Sequence, residues 1–251
     1  MAAGAVHLAA SDRDDTVVEI RPRDPDRASD VRAAEQARVD YRNGTLTVAA
    51  GPKFISLGRG GAVHIDIALP AASRLKVSTA SATIEADGLY SECQFASASG
   101  NVVVATVEGN LKADSASGDI TVDDLVGDAV ISTASGKAAL GRVEGDVTFK
   151  AASGGIDVGE LRGNAKAQTA SGPVRVAVAA GGAVTAFTSS GDVEVGIPQG
   201  TAARLELDTR SGTVSNGLQA ADGPGDGEQT MVIHARTGSG DISVSRAAGS
   251  T

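Results

Sequence analysis

The chain has 251 residues, enough for one large domain or two small ones around a substantial core. Hydrophobic residues make up 41% of it, but most are Ala and Val, and aromatic residues are only 2%. With 32 glycines this composition predicts many turns and a thin cross-section, and a net charge of −9 argues against a nucleic-acid partner.

Three further classes are disfavoured by counting. The single cysteine, Cys93, excludes an internal disulfide and a multi-cysteine metal site. No run approaches about 18 consecutive apolar residues, so no membrane insertion is expected. The opening segment, Met1 to His7, has no basic residue ahead of an apolar run and makes a poor secretory signal. We therefore expect a cytoplasmic location for the chain as given.

Residues 1–73 hold strand patterns without a fixed period and are expected to form an N-terminal β cap. The segment 21–38 carries both charge signs, and a short helix is predicted over Val31 to Val39. The predicted strands are Val17–Ile20, a hairpin of Val39–Tyr41 and Leu46–Val48 around Asn43-Gly44, and the alternating Val63–Ile67, which ends at Pro70.

Residues 74–200 contain an internal repeat of 18 residues. The phrase Ala-Ser-Gly recurs at this spacing, with its serines at Ser99, Ser117, Ser135, Ser153 and Ser171. Glycine recurs at half that spacing, at positions 100, 109, 118, 127, 136, 145, 154, 163, 172 and 181. Apolar residues alternate within each half, as Ile120 and Val122 do, which is the pattern of a strand.

This pattern predicts an all-β fold, a single-stranded β-solenoid of 18-residue coils, each with two nine-residue halves. About seven such coils are expected. Large residues at positions 107, 125, 143 and 161 are expected to face alanines at 116, 134, 152 and 170 across the interior. A glycine with positive φ is expected at every corner, often followed by an Asn or Asp that tolerates the turn.

Residues 201–251 are expected to form irregular C-terminal coils and a cap, continuous with the rest as one domain. A Gly-, Asp- and Pro-rich loop spans 217–230. The predicted strands are Leu205–Leu207, one around Val214, Met231–Ile233 and Ile242–Val244.

Catalytic motifs are not evident. His7, His64 and His234 have no metal-ligand spacing and are interpreted as ordinary strand histidines. Leu57 to Gly61 resembles an anion-binding loop but lacks the following helix, so a plain loop is favoured. No histidine shares the period of the serine row, which is therefore interpreted as a stack of hydrogen-bonded hydroxyls.

Two alternatives stay open. Calcium-binding rolls also have two strands per 18 residues, but here the corner carboxylate is often replaced, as by Lys137 or Pro173. Carbohydrate-active β-helix enzymes, such as polysaccharide lyases and hydrolases, align carboxylates on one face. The surface candidates for that chemistry are Arg142, Arg162, Arg175 and Asp157, without a recurring carboxylate pair.

The phrase Ser115-Ala116-Ser117-Gly118-Asp119-Ile120, repeated as Gly238-Ser239-Gly240-Asp241-Ile242, resembles the bacterial DUF4097 family, an adhesin-like family also called the toastrack domain. The opening Ala10–Pro22 and the later Leu205–Arg210 look like actinobacterial members without a membrane anchor. The resemblance covers essentially the whole chain. It implies a β-solenoid with a binding or scaffolding role, and some members are linked to cell-envelope stress signalling. Beside such relatives the N-terminus looks clipped.

We therefore expect a non-enzymatic binding or scaffold protein without catalytic, cofactor-binding or metal-binding residues and without a cofactor. The expected partner is a protein or another envelope-associated macromolecule. The alternative is a carbohydrate-active β-helix enzyme.

Overall fold

The computed structural model describes residues 4–49, 61–219 and 229–247. The elements before the repeats are β1 (Gly4–Ser11), β2 (Val17–Pro22), α1 (Ala28–Glu35), β3 (Arg38–Arg42), β4 (Thr45–Ala49) and β5 (Val63–Pro70). The predicted hairpin is present: β3 and β4 pair antiparallel around Asn43 and Gly44, which have φ of 51° and 75°.

The helix begins at Ala28, three residues before the predicted start, and ends at Glu35 instead of Val39. The reason is the hairpin that follows, because Val39 is paired with Val48. A residue committed to this ladder cannot also continue the helix.

The repeats form strands that alternate between two ladders. Their bounds are β6 (Ser73–Thr79), β7 (Thr83–Ser97), β8 (Val102–Glu108), β9 (Leu111–Ser115), β10 (Ile120–Val126), β11 (Ala129–Thr133), β12 (Ala138–Glu144), β13 (Val147–Ala151), β14 (Ile156–Arg162), β15 (Ala165–Thr169), β16 (Val174–Ala179), β17 (Gly182–Ser190) and β18 (Val193–Ile197).

Pairing in both ladders is parallel and confirms the β-solenoid. The first ladder joins β7, β8, β10, β12, β14, β16 and β18 in that order. The second joins β6, β7, β9, β11, β13, β15 and β17. In the regular coils each residue lies beside the one 18 positions later, as Ile120 lies beside Ala138.

The core lies between the two ladders, and one expectation about it is wrong. Leu125 and its equivalents are buried as predicted, and the buried side chains of the second ladder include Leu111, Ile131 and Phe149. The alanines at 116, 134, 152 and 170 are exposed instead. They lie in the corners, where the chain turns and the in-out alternation of the strand stops.

The expectation of a positive φ at every corner holds at only one of the two corner types. Gly109, Gly127, Gly145 and Gly163 have φ between 141° and 151°. The glycines of the Ala-Ser-Gly corners do not adopt this region. At Gly136 a Cβ atom would collide with the carbonyl oxygen of Gly118 in the preceding coil, so glycine is required there by close backbone approach.

The remaining strands are β19 (Thr201–Ser211), β20 (Val214–Asn216), β21 (Gln229–Ser239) and β22 (Ile242–Arg246). The predicted C-terminal strands are therefore confirmed, whereas residues 220–228 of the predicted loop lie outside the described residues.

These strands do not stack in chain order. β21 lies between β17 and β19, and β22 lies between β18 and β20. The N-terminal strand β1 is likewise inserted between β5 and β7, while β2 pairs antiparallel with the other side of β5. Both terminal segments are thus held between strands that come from further inside the sequence.

Among the helices of the described residues, none has the length and apolar character needed to cross a membrane.

Candidate functional site

The two ladders present outer surfaces of opposite charge. We call the outward side chains of β8, β10, β12, β14, β16 and β18 the acidic face, and those of β9, β11, β13, β15, β17 and β21 the basic face. The acidic face carries seven carboxylates against three guanidiniums. The basic face carries four cations against one carboxylate, in a chain whose net charge is −9.

The arginines of the acidic face are paired with carboxylates, two of them across neighbouring strands and one along its own strand. Arg142 lies 3.5 Å from Asp124, and Arg175 lies 3.2 Å from Glu194. Arg162 lies 2.9 Å from Glu160 on its own strand, and that hydrogen bond raises the pKa of Arg162 above its ordinary value. These residues, together with Asp157, were the surface candidates from sequence. The structure places them on one face, with each of the three arginines paired to a carboxylate.

The cations of the basic face are Lys112, Lys150, Lys166 and Arg236. Lys112 lies 4.0 Å from Asp114, and Arg236 lies 3.0 Å from Asp208 of β19. Lys150 and Lys166 are exposed and have no ion-pair partner among the described residues. Their register neighbours are neutral, Ser132 and Gln168 for Lys150, and Thr148 and Thr185 for Lys166.

A shallow groove of about 390 Å³ lies on the basic face. Lys150, Gln168, Phe187 and Arg236 contribute one side chain from each of four adjacent strands, and Ser189 adds a hydroxyl group. Thr169 and Thr188 also line the groove, but they are buried and their hydroxyls donate to backbone carbonyl oxygens. Phe187 is half-buried and meets the ring of His234 edge-on, with centroids 5.1 Å apart and planes at 80°. The groove therefore combines an aromatic ring, hydrogen-bonding groups and cations.

The other two histidines lie far along the solenoid, in the N-terminal strands. His7 on β1 places its Nε2 atom 3.0 Å from Oδ2 of Asp87 and its Nδ1 atom 3.7 Å from Oδ1 of Asp66. His64 on β5 stands opposite Arg21 in the register. All three histidines are strand residues, as interpreted from the sequence. Of the proposed loop 57–61, only Gly61 is among the described residues.

The corner Asp and Asn side chains link successive coils. Asp128 Oδ1 accepts a hydrogen bond from the backbone N–H of Asp146 at 3.0 Å, and Asp146 Oδ1 accepts from the N–H of Asn164 at 2.9 Å. The same hydrogen bond occurs at the Ala-Ser-Gly corners, where Asp119 Oδ1 accepts from the N–H of Lys137 at 2.8 Å. The side-chain oxygen, which Asp and Asn share, explains why both residues occupy these positions.

The same bonds bear on the calcium-roll alternative. A calcium cage needs about six to eight oxygen ligands, whereas one oxygen of each of these carboxylates already accepts a backbone N–H. Within the described residues no three His, Cys, Asp or Glu side chains are arranged to hold a metal ion.

The serine row differs from the predicted stack of hydroxyls. Ser99 and Ser117 donate to the carbonyl oxygens of Ala80 and Ala98 in the preceding coil, at 3.3 and 3.2 Å, rather than to one another. A second hydroxyl row, two positions earlier, was missed. Its members close the corner: Ser115 Oγ donates to the carbonyl of Gly118, and Thr133 Oγ1 accepts from the N–H of Gly136. A Thr or Ser stands two residues before every serine of the row except Ser153, where that position is Ala151, and this recurrence was the available signal.

Three titratable groups, Cys93, Tyr90 and Asp30, are buried in the fold and are not part of the exposed surface. Burial raises the pKa of the Cys93 thiol to about 12. Burial also raises the pKa of Tyr90, whose hydroxyl lies 2.9 Å from the carbonyl oxygen of Leu8 and joins β7 to β1. A hydrogen bond from the Ala62 N–H lowers the pKa of Asp30 on α1.

The basic face was not recognised from the sequence. Lys112, Lys150 and Lys166 occupy outward positions of the second strand in their coils. Placing each coil beneath the last would have put Lys150 in one row with Gln168 and Phe187, and Lys112 and Lys166 in the neighbouring outward row. The neighbouring Arg236 could not have been found in this way, because β21 is inserted out of chain order.

Fold and surface together define a class: a parallel β-solenoid repeat protein with two oppositely charged faces. The family model Toastrack DUF4097 matches residues 5–251, and the chain belongs to this family. Among solved structures it is similar to a candidate cell adhesion protein from Clostridium sporogenes, at 12% identity and a TM-score of 0.22, over 97% of this chain and 88% of that one. No curated protein matches.

Proposed function

We propose that the protein is a non-enzymatic binding and scaffold protein that presents its basic face to an envelope-associated macromolecule. The observation that carries the proposal is the pair Lys150 and Lys166. Both are exposed on an outer sheet face, without an ion-pair partner among the described residues. By contrast, the arginines of the acidic face are paired. An uncompensated cation on a surface is available to an anionic partner.

The geometry of the sheet supports a side-chain-mediated scaffold. In the middle of a ladder the backbone groups already bond to both neighbouring strands, so a partner meets side chains alone. Equivalent side chains recur about every 4.8 Å along the solenoid axis. Such spacing suits an extended partner that contacts several coils. The likeness to DUF4097 proteins linked to cell-envelope stress makes the envelope the first place to look for that partner.

Sedimentation with envelopes isolated from the source cells tests the proposal. The double variant Lys150→Glu/Lys166→Glu is expected to lose most of the bound fraction. Lys137→Glu changes the same charge at an exposed corner position outside the groove lining, and it should bind like the wild type. Equal binding of all three proteins, or no binding by the wild type, would contradict the proposal.

The enzyme alternative requires a separate measurement. The protein is incubated with a panel of polysaccharides, and reducing ends and unsaturated sugars are measured. We expect no release above a buffer control. Release that scales with protein concentration would overturn the non-enzymatic assignment and favour a carbohydrate-active β-helix enzyme.

A further inference from the structure

The groove on the basic face contains a row of four side chains running across the strands. Lys150, Gln168, Phe187 and Arg236 are register partners in sequence along β13, β15, β17 and β21. The row therefore presents a cation, an amide, an aromatic ring and a second cation in that order. With three strand steps between them, the two cationic positions are roughly 14 Å apart.

From this row we infer that the groove binds an acidic polysaccharide laid along the solenoid axis, with carboxylates near Lys150 and Arg236 and a sugar ring over Phe187. The inference rests on the proposed function and names its ligand class. It adds Phe187 and Gln168, which a purely electrostatic surface would not need.

The chemistry of each position fits a uronate polymer. A pyranose ring has an apolar face of C–H groups and an edge of hydroxyls. Phe187 supplies an apolar ring surface, and Gln168 beside it supplies both a donor and an acceptor. A carboxylate on a neighbouring sugar would then meet Lys150, whose register neighbours Ser132 and Gln168 do not compete for its charge.

Arg236 is held in place by its ion pair with Asp208, at 3.0 Å. Both side chains are more than half exposed, so the pair itself contributes little stability. Its effect is to orient the guanidinium, which offers further N–H donors to a ligand. His234 contacts Phe187 through an edge-on arrangement of the two rings.

An acidic polypeptide fits this surface less well. Extended peptides bind sheets by adding a strand to a free edge, where backbone groups are unpaired. The groove instead lies over β13, β15, β17 and β21, and each of these strands is paired on both sides. A peptide here would have to leave its own backbone groups to solvent. The groove is shallow, so a pyranose ring can reach the Phe187 side chain from solvent.

Binding of purified protein to polygalacturonate, measured by biolayer interferometry, tests the inference. Dextran serves as the neutral polysaccharide and poly-L-glutamate as the acidic polypeptide. The wild type should bind polygalacturonate, with weaker binding as salt rises, and should not bind dextran. Phe187→Ala and Lys150→Glu should each weaken binding at least tenfold, whereas Lys137→Glu should leave it unchanged.

Loss of folding must be separated from loss of binding. The thermal midpoint of each variant is measured, and Gln168→Ala provides a variant at an exposed position that should also weaken binding without unfolding the protein. Absence of polygalacturonate binding would overturn the inference. Binding of poly-L-glutamate that equals it and is insensitive to Phe187→Ala would also overturn it, in favour of a polypeptide partner held by charge.

The two proposals fail in different ways. If envelopes bind through Lys150 and Lys166 but polygalacturonate does not bind, the scaffold function stands and the polysaccharide inference fails. If polygalacturonate binds at the groove and is cleaved, the ligand class stands and the non-enzymatic function fails.

Discussion

Replacing Leu125 by Ala is the strongest test of the solenoid core. Leu125 is only 1% exposed and lies in register between Val107 and Val143 of the neighbouring coils. The change removes three buried carbon atoms, worth about 2.4 kcal/mol at about 0.8 kcal/mol each. Strand spacing is fixed by the ladder bonds, so the cavity cannot collapse fully. Its residual volume brings the expected loss to about 3–4 kcal/mol, within the usual range for Leu to Ala.

Urea unfolding followed by far-ultraviolet circular dichroism measures this loss. Thr121→Ala on the same strand is the matched control, because Thr121 points outward and is partly exposed. It should change the free energy of unfolding by no more than about 0.5 kcal/mol. A loss below about 1 kcal/mol for Leu125→Ala, or equal effects of the two variants, would refute the assignment of inward and outward positions.

Three further predictions concern the corners and the buried thiol. Asp146→Ala should lower the free energy of unfolding by about 0.5–1.5 kcal/mol, whereas Asp146→Asn should be near neutral because it keeps the acceptor for the Asn164 N–H. The stabilities of the two variants are compared by thermal unfolding. Gly145→Ala should cost more than about 1 kcal/mol, since its φ is 149° and a Cβ would meet the Gly127 carbonyl, while Gly181→Ala, in open space, should cost little in the same assay. Cys93, with its pKa raised to about 12, should react slowly with a thiol reagent at about pH 8 until the protein is unfolded. Because the folded state favours the neutral thiol, the free energy of unfolding should fall as pH rises above 9.0 and keep falling towards 12. The Cys93→Ala variant should lack this contribution to the pH dependence. Rapid labelling of the native protein by the thiol reagent would contradict the burial of Cys93.

Much of the fold follows from the repeat. Alternation at period two identifies which residues point inward, and a fixed 18-residue spacing places each strand beside its successor. Ile120 and Ala138 are neighbours for this reason. The hairpin around Asn43-Gly44 was equally readable, because its turn requires two residues that tolerate positive φ.

The corners were less predictable than the strands. Between Thr133 and Gly136 the chain turns, so Ala134 and Ser135 both face outward and alternation no longer gives their direction. The corner glycines also serve two purposes, positive φ at Gly145 and close coil approach at Gly136. A recurring glycine does not distinguish these purposes. The alanine row was misplaced for the same reason, since small size is compatible with either a tight core or an exposed corner.

The groove on the basic face depends on an order of strands that the sequence does not reveal. If coils stacked in chain order, β19 would follow β17. The registers of both strands with β21 would then bring Phe187 beside Asp208, a carboxylate. Insertion of β21 places Arg236 there instead and moves Asp208 one strand outward, where it pairs with that arginine. Insertion of β21 therefore pairs the C-terminal segment with β17 on one side and β19 on the other. It also replaces an acidic neighbour of the Phe187 ring with a basic one. Any change that let β19 pair directly with β17 would weaken binding of an anionic ligand, even though every residue of the groove were still present.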